Sequence, residues 1–103
     1  MLKLNKNVHK SLLEILDDAH DLAEDNRNLQ LGIEAVEREL KRADIYRNLA
    51  VIKFNDRTKI QQCIVVLNKV LEMSEDIEKV GNYDTVTVDI IVTESLLKLY
   101  ELL

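Results

Sequence analysis

The sequence predicts an all-α protein organised around one long heptad-patterned helix. Two observations carry that expectation. The 103-residue chain has no proline and only two glycines, Gly32 and Gly81, whereas sheets and loop-rich folds draw heavily on such turn residues. Apolar side chains also recur at alternating steps of four and three along the first half of the chain. Val8, Leu12, Ile15, Ala19, Leu22, Leu29, Ile33, Val36, Leu40, Ala43, Ala50 and Phe54 follow this spacing. Only Asn26 and Arg47 interrupt it with polar residues.

A repeat of 3.5 residues sustained this far implies a left-handed supercoil seam. With Leu12 at position a, Ile15 falls at d, Ala19 at a, Leu22 at d, Asn26 at a, Leu29 at d, Ile33 at a and Val36 at d. A continuous helix over about 7–54 would be about 70 Å long. A chain of this size cannot cover such a helix alone, so the pattern predicts a homodimer. Leu12, Ile15, Ala19, Leu22, Asn26, Leu29, Ile33, Val36 and Leu40 are the expected self-association residues. Paired asparagines at position 26 would set the register of a parallel pair.

The segment Asp25–Gly32 is the poorest helix former before residue 55, and a break near 26–32 yields a second architecture. Helices over 8–25, 33–54, 57–80 and 84–102 would then form a monomeric four-helix up-down bundle. Leu13, Leu16, Ile45, Leu49 and Ile52, which lie off the seam, favour that alternative. The dense apolar run Leu49–Ile52 suggests a helix surrounded on several sides, with Arg47 marking the point where the seam opens.

Asn55, Asp56 and Thr58 offer cap residues for a helix over 57–80. Gly81 stands where a C-terminal glycine cap would end it, and Asn82 or Asp84 can cap the next. Residues 85–93 are β-branched except for Asp89 and alternate as a strand would. The apolar spacing from Glu94 to Leu103 is helical, so a single helix over 84–102 is the expectation. The whole chain reads as one domain.

The formal charge of −5 argues against a nucleic-acid partner. Cys63 is the only cysteine, beside Ile64, Val65 and Val66, which predicts a buried and inert thiol. The amino-terminal Met-Leu-Lys-Leu-Asn-Lys lacks the apolar core of a signal peptide. The longest apolar run, Cys63–Leu67, is far shorter than the roughly 18–20 residues that span a bilayer. A cytoplasmic protein without membrane contact is expected.

Three clusters bear on chemistry. Asp17, His20 and Asp21 share one helix face, as metal-binding carboxylate–histidine motifs do. A solvated acidic face is the simpler reading of the same residues. Arg38, Lys41, Arg42 and Arg47 form a basic stretch in which Glu37–Lys41 and Glu34–Arg38 are oriented as ion pairs. Glu34 and Glu37, with Glu72 and Glu75, form two Glu-x-x-Glu pairs. That arrangement resembles the magnesium site of all-α nucleotide pyrophosphohydrolases. The resemblance would imply a hydrolase, but Glu34 and Glu37 fall at outward heptad positions.

No nucleophile–base constellation, phosphate loop or Cys-x-x-Cys motif can be assembled. The expectation is therefore a protein without catalytic, metal or cofactor-binding residues. It would act as an oligomerisation, adaptor or regulatory module through helix–helix packing. A compact inhibitor or immunity-type protein is the alternative. Its partners would be itself and another protein, the latter docking on Leu96, Leu97, Leu99, Tyr100 and Leu103.

Overall fold

A computed structural model describes residues 1–81 and 87–103. Helices dominate, but a small antiparallel sheet stands among them. In chain order the elements are β1 (Leu2–Asn5), α1 (Lys6–Leu22), α2 (Arg27–Lys41), β2 (Asp44–Tyr46), β3 (Leu49–Ile52), α3 (Arg57–Glu72), α4 (Ser74–Val80) and α5 (Val88–Glu101).

The predicted 7–54 helix is therefore corrected in two places. The first is a tight turn over residues 23–26. Ala23 closes α1 through its backbone N–H to the Ala19 carbonyl, and the Asn26 side chain accepts the Leu29 N–H at 3.1 Å. Asn26 is thus the N-cap of α2 rather than a register-setting seam residue. The chain reverses there, so α1 and α2 lie antiparallel. The buried His9 Nε2–H donates to the Leu40 carbonyl at 2.8 Å, tying the start of α1 to the end of α2. The Gln30 amide donates to the His20 carbonyl at 3.0 Å and ties the other ends.

This reversal shows why the heptad pattern was ambiguous. An amphipathic helix has the same local spacing whether its stripe meets a second chain or the next helix of its own chain. Here Leu12, Ile15, Ala19, Ile33, Val36 and Leu40 are all buried within one subunit. Leu29 packs partly buried against them, while Leu22 is exposed. The principal-axis extents are 31 × 30 × 19 Å, which leave no room for a stalk of the expected length.

The second correction is the stretch 44–52, which forms a hairpin. Arg47 and Asn48 carry φ angles of 47° and 69°, the left-handed pair that a two-residue type I′ turn requires. Asparagine tolerates this conformation well, and arginine adopts it at some cost. Leu49–Ile52 alternates about β3, with Ala50 and Ile52 buried. β3 takes the centre of the sheet, in the order β1-β3-β2. Leu2 pairs with Ile52 and Leu4 with Ala50. Leu2 and Leu4 are buried while Lys3 and Asn5 face solvent, the alternation of a one-sided strand.

The remaining helices follow the sequence more closely. Asp56 caps α3 by accepting the Lys59 N–H at 2.9 Å. The predicted 57–80 helix breaks at Met73, which lets α4 turn and bury Ile77 against the core. Gly81 ends α4, with its N–H on the Ile77 carbonyl, but with φ at −96° rather than in the left-handed region. The proposed caps Asn82 and Asp84 and the residues Thr85 and Val86 lie outside the described residues. From Val88 onward the β-branched segment is helical, with Val88, Ile91, Val92, Ser95, Leu96 and Leu99 turned inward. Cys63 is buried, and burial together with nearby Glu39 pushes its thiol up to about 12. It is therefore protonated and unreactive at neutral pH.

One core unites these elements. α1 runs through the middle, touching α2, α4, α5 and the sheet, while α3 packs across α5 and α2. No helix among the described residues is long and apolar enough to cross a membrane.

Candidate functional site

Two regions hold the residues that sequence patterning singled out. The first is the polar side of the α1–α2 hairpin. Folding α2 back on α1 brings Asp17 and His20 opposite Glu37 and Glu34. Glu37 is only 7 % exposed, although its heptad position predicted an outward side chain. Burial first, and then a hydrogen bond and charge repulsion from Asp17, push its carboxyl up from 4.5 to about 7, against the opposing pull of Lys41. The Lys41 ammonium stands 3.8 Å from Glu37.

Glu34 does not pair with Arg38 as expected. It faces His20 Nε2 at 3.7 Å and Arg27 at 3.9 Å, across the hairpin and along its own helix. The His20 Nε2 atom is enclosed without a hydrogen-bond partner. The two Glu-x-x-Glu pairs do not unite: Glu72 ends α3, Glu75 lies in the first turn of α4, and the residues around Glu34 and Glu37 come from α1 and α2. Among the described residues no three His, Cys, Asp or Glu side chains converge to hold a metal ion.

The burial of Glu37 bears on stability. A carboxyl that titrates at 4.5 when unfolded and about 7 when folded binds its proton more tightly in the native state. The contribution of Glu37 to stability is then fully present below pH 4.5 and is lost as pH rises through about 7. Glu37→Gln keeps a donor for Asp17 and removes the titration. The variant should be more stable than the parent at pH 8 by up to about 3 kcal/mol, with the advantage shrinking at pH 5. Urea midpoints at the two pH values measure this, and a pH-independent difference would refute it.

The basic stretch is dispersed in the same way. Lys41 turns to Glu37, Arg42 to Glu39 at 3.6 Å, and Arg47 lies over the Tyr46 ring at 5.2 Å. Glu39 also holds Lys59 at 3.1 Å, a tie between α2 and α3.

The second region is the outer face of α5. Of the five residues expected to dock a partner, Leu97, Tyr100 and Leu103 are exposed, and Leu96 and Leu99 are buried. Leu97 shows 61 % of its surface. Ile90, which the sequence reading passed over, completes the stripe. With Asp89, Thr93, Glu94 and Leu97 it lines a shallow depression of about 330 Å³. The signal was available in the spacing: Val88, Val92, Leu96 and Leu99 recur at four, four and three, leaving Ile90 and Leu97 on the opposite side. Tyr100 is braced by the Asn68 amide at 3.4 Å from α3.

The arrangement defines a small, mainly helical domain with a one-sided sheet and an apolar helix face on its surface. Comparison with protein-family models, curated proteins and solved structures found no match.

Proposed function

We propose that the protein is a non-catalytic interaction module that binds another protein by helix packing on α5. The observation that carries this reading is the exposed stripe Ile90–Leu97–Tyr100 on a helix whose inner face is already committed to the core. Exposed apolar side chains at helical spacing offer a partner helix its i, i+3, i+4 anchors. Single exposed leucines are ordinary, whereas aligned ones mark contact surfaces. The burial of Glu37 also favours a binding role over a hydrolytic one, because its carboxyl is spent on Asp17 and Lys41. The compact body suits an inhibitor as well as an adaptor, acting in the cytoplasm without cofactor or nucleic acid.

Affinity capture from cell extract tests the reading with two variants. Leu97→Asp should lose the captured partner at least tenfold. Leu31→Asp, at an exposed position on α2, should retain it, and both should keep the parental melting behaviour within about 0.5 kcal/mol. Equal capture by the two variants would overturn the assignment.

A further inference from the structure

The two edges of the sheet differ. In a two-residue hairpin, the residues flanking the turn exchange both backbone hydrogen bonds, and the pairing then alternates. Tyr46 therefore bonds Leu49, Asp44 bonds Val51, and the N–H and C=O of Ile45 point away from β3. On the other side of β3 the same alternation turns Lys3 outward, and there the outward carbonyl is taken: the Lys98 ammonium of α5 donates to it at 2.9 Å. No comparable group among the described residues closes the Ile45 edge. Asp44, Ile45 and Tyr46 are all exposed, and β2 packs chiefly on β3. Natural proteins normally blunt such an edge.

We propose that β2 pairs with β2 of a second copy of this chain, antiparallel and centred on Ile45. The resulting sheet has six strands, in the order β1-β3-β2-β2-β3-β1. The charges select this occupant. A two-fold axis at Ile45 sets Ile45 against its own copy, so the two outward N–H and C=O groups satisfy each other reciprocally. The same axis sets Tyr46 directly across from the other copy's Asp44. The Arg47 guanidinium already lies over the Tyr46 ring, so it comes beside that carboxylate. Within the subunit, among the described residues, neither Asp44 nor Arg47 has an ion-pair partner. The pairing supplies one to each, twice over, by symmetry. Ile45, 49 % exposed on the helix-covered face, gains its own copy as a cross-strand neighbour. The contact is small beside a standard interface of about 1,600 Å², so the dimer is reversible.

Sedimentation equilibrium on the full chain over 5 µM to 1 mM tests the proposal, where ~1.4 kcal/mol corresponds to tenfold in affinity. The wild type should rise with concentration from 11.9 kDa toward twice that mass. Ile45→Pro, which removes the edge donor, should remain monomeric. Arg47→Glu should weaken association at least tenfold by setting acid against acid, and Asp44→Arg combined with Arg47→Glu should restore it. Circular dichroism checks that each variant is folded. If Ile45→Pro does not fold, the charge reversal and its rescue decide alone. A wild type that stays at 11.9 kDa throughout overturns the proposal. So does a dimer that survives Arg47→Glu or is lost with Leu97→Asp, since that dimer would use the α5 face instead. The proposal is independent of the α5 reading, and failure of one leaves the other standing.

Discussion

Ile33→Asp should abolish folding, and Leu22→Asp should leave the protein folded. A heptad seam makes the two positions equivalent, so the contrast separates the folded-back hairpin from an extended coiled coil. Ile33 is 0 % exposed at the centre of the core, while Leu22 is 39 % exposed at the end of α1. Removing the isoleucine alone costs about 2–5 kcal/mol. A carboxylate in its place must also be desolvated or protonated, at a further cost of several kcal/mol. Against a total stability of about 5–15 kcal/mol, that sum exceeds what a small domain can absorb. At Leu22 the new carboxylate remains in water, and the loss should stay below about 1 kcal/mol. Urea denaturation followed by circular dichroism reads both. Equal losses at the two positions would contradict the burial pattern described here.

Gly32→Val should destabilise the chain by about 2–3 kcal/mol, although valine is ordinarily the better helix former. Gly32 lies inside α2 with an ordinary helical backbone, so its value is spatial. A Cβ at this position would meet Val66 Cγ2 of α3 at 2.9 Å. The branched side chain of Val66 is itself buried and cannot swing aside. α2 and α3 would have to separate, which opens the core around Ile33 and Leu67. Val66→Ala should relieve the clash, so the double variant should be more stable than the sum of the two single losses. Additive losses would show that Gly32 matters for some reason other than this contact. Gly32→Ala sets about 1 kcal/mol of helix propensity against the same contact and should fall between glycine and valine.

Several elements were legible in the residues alone. Asp56 announces the start of α3, and the apolar neighbours of Cys63 announce its burial. The helical spacing from Glu94 to Leu103 outweighs the β-branched composition before it, and from Val88 onward the segment is helical in the structure. The exposed face of α5 is half legible in the same way. Of the five residues expected to dock a partner, Leu97, Tyr100 and Leu103 are exposed, whereas Leu96 and Leu99 face the core, because composition alone does not give the helix an inward side. The pairing of Asp17 with Glu37 was not legible, because it depends on where α2 lands against α1. The hairpin over 44–52 is hidden for a related reason. Ile45, Leu49 and Ile52 fit off-seam helix positions, yet the same short apolar run Leu49–Ile52 serves as a strand whose burial alternates. Runs of this length satisfy both periods.

Local sequence determined which segments are amphipathic, where several of the helices begin, and that most of the chain is helical, since spacing and capping act between residues a few positions apart. Only tertiary structure decided what each apolar stripe would meet. The turn at 23–26 folds α2 onto α1, the strand Leu2–Asn5 gives β3 a partner from the far end of the segment, and the sheet then has one protected and one open edge. Those outcomes depend on contacts between residues distant in sequence, where hydrophobic burial is non-directional and the partner is chosen by chain connectivity and fit.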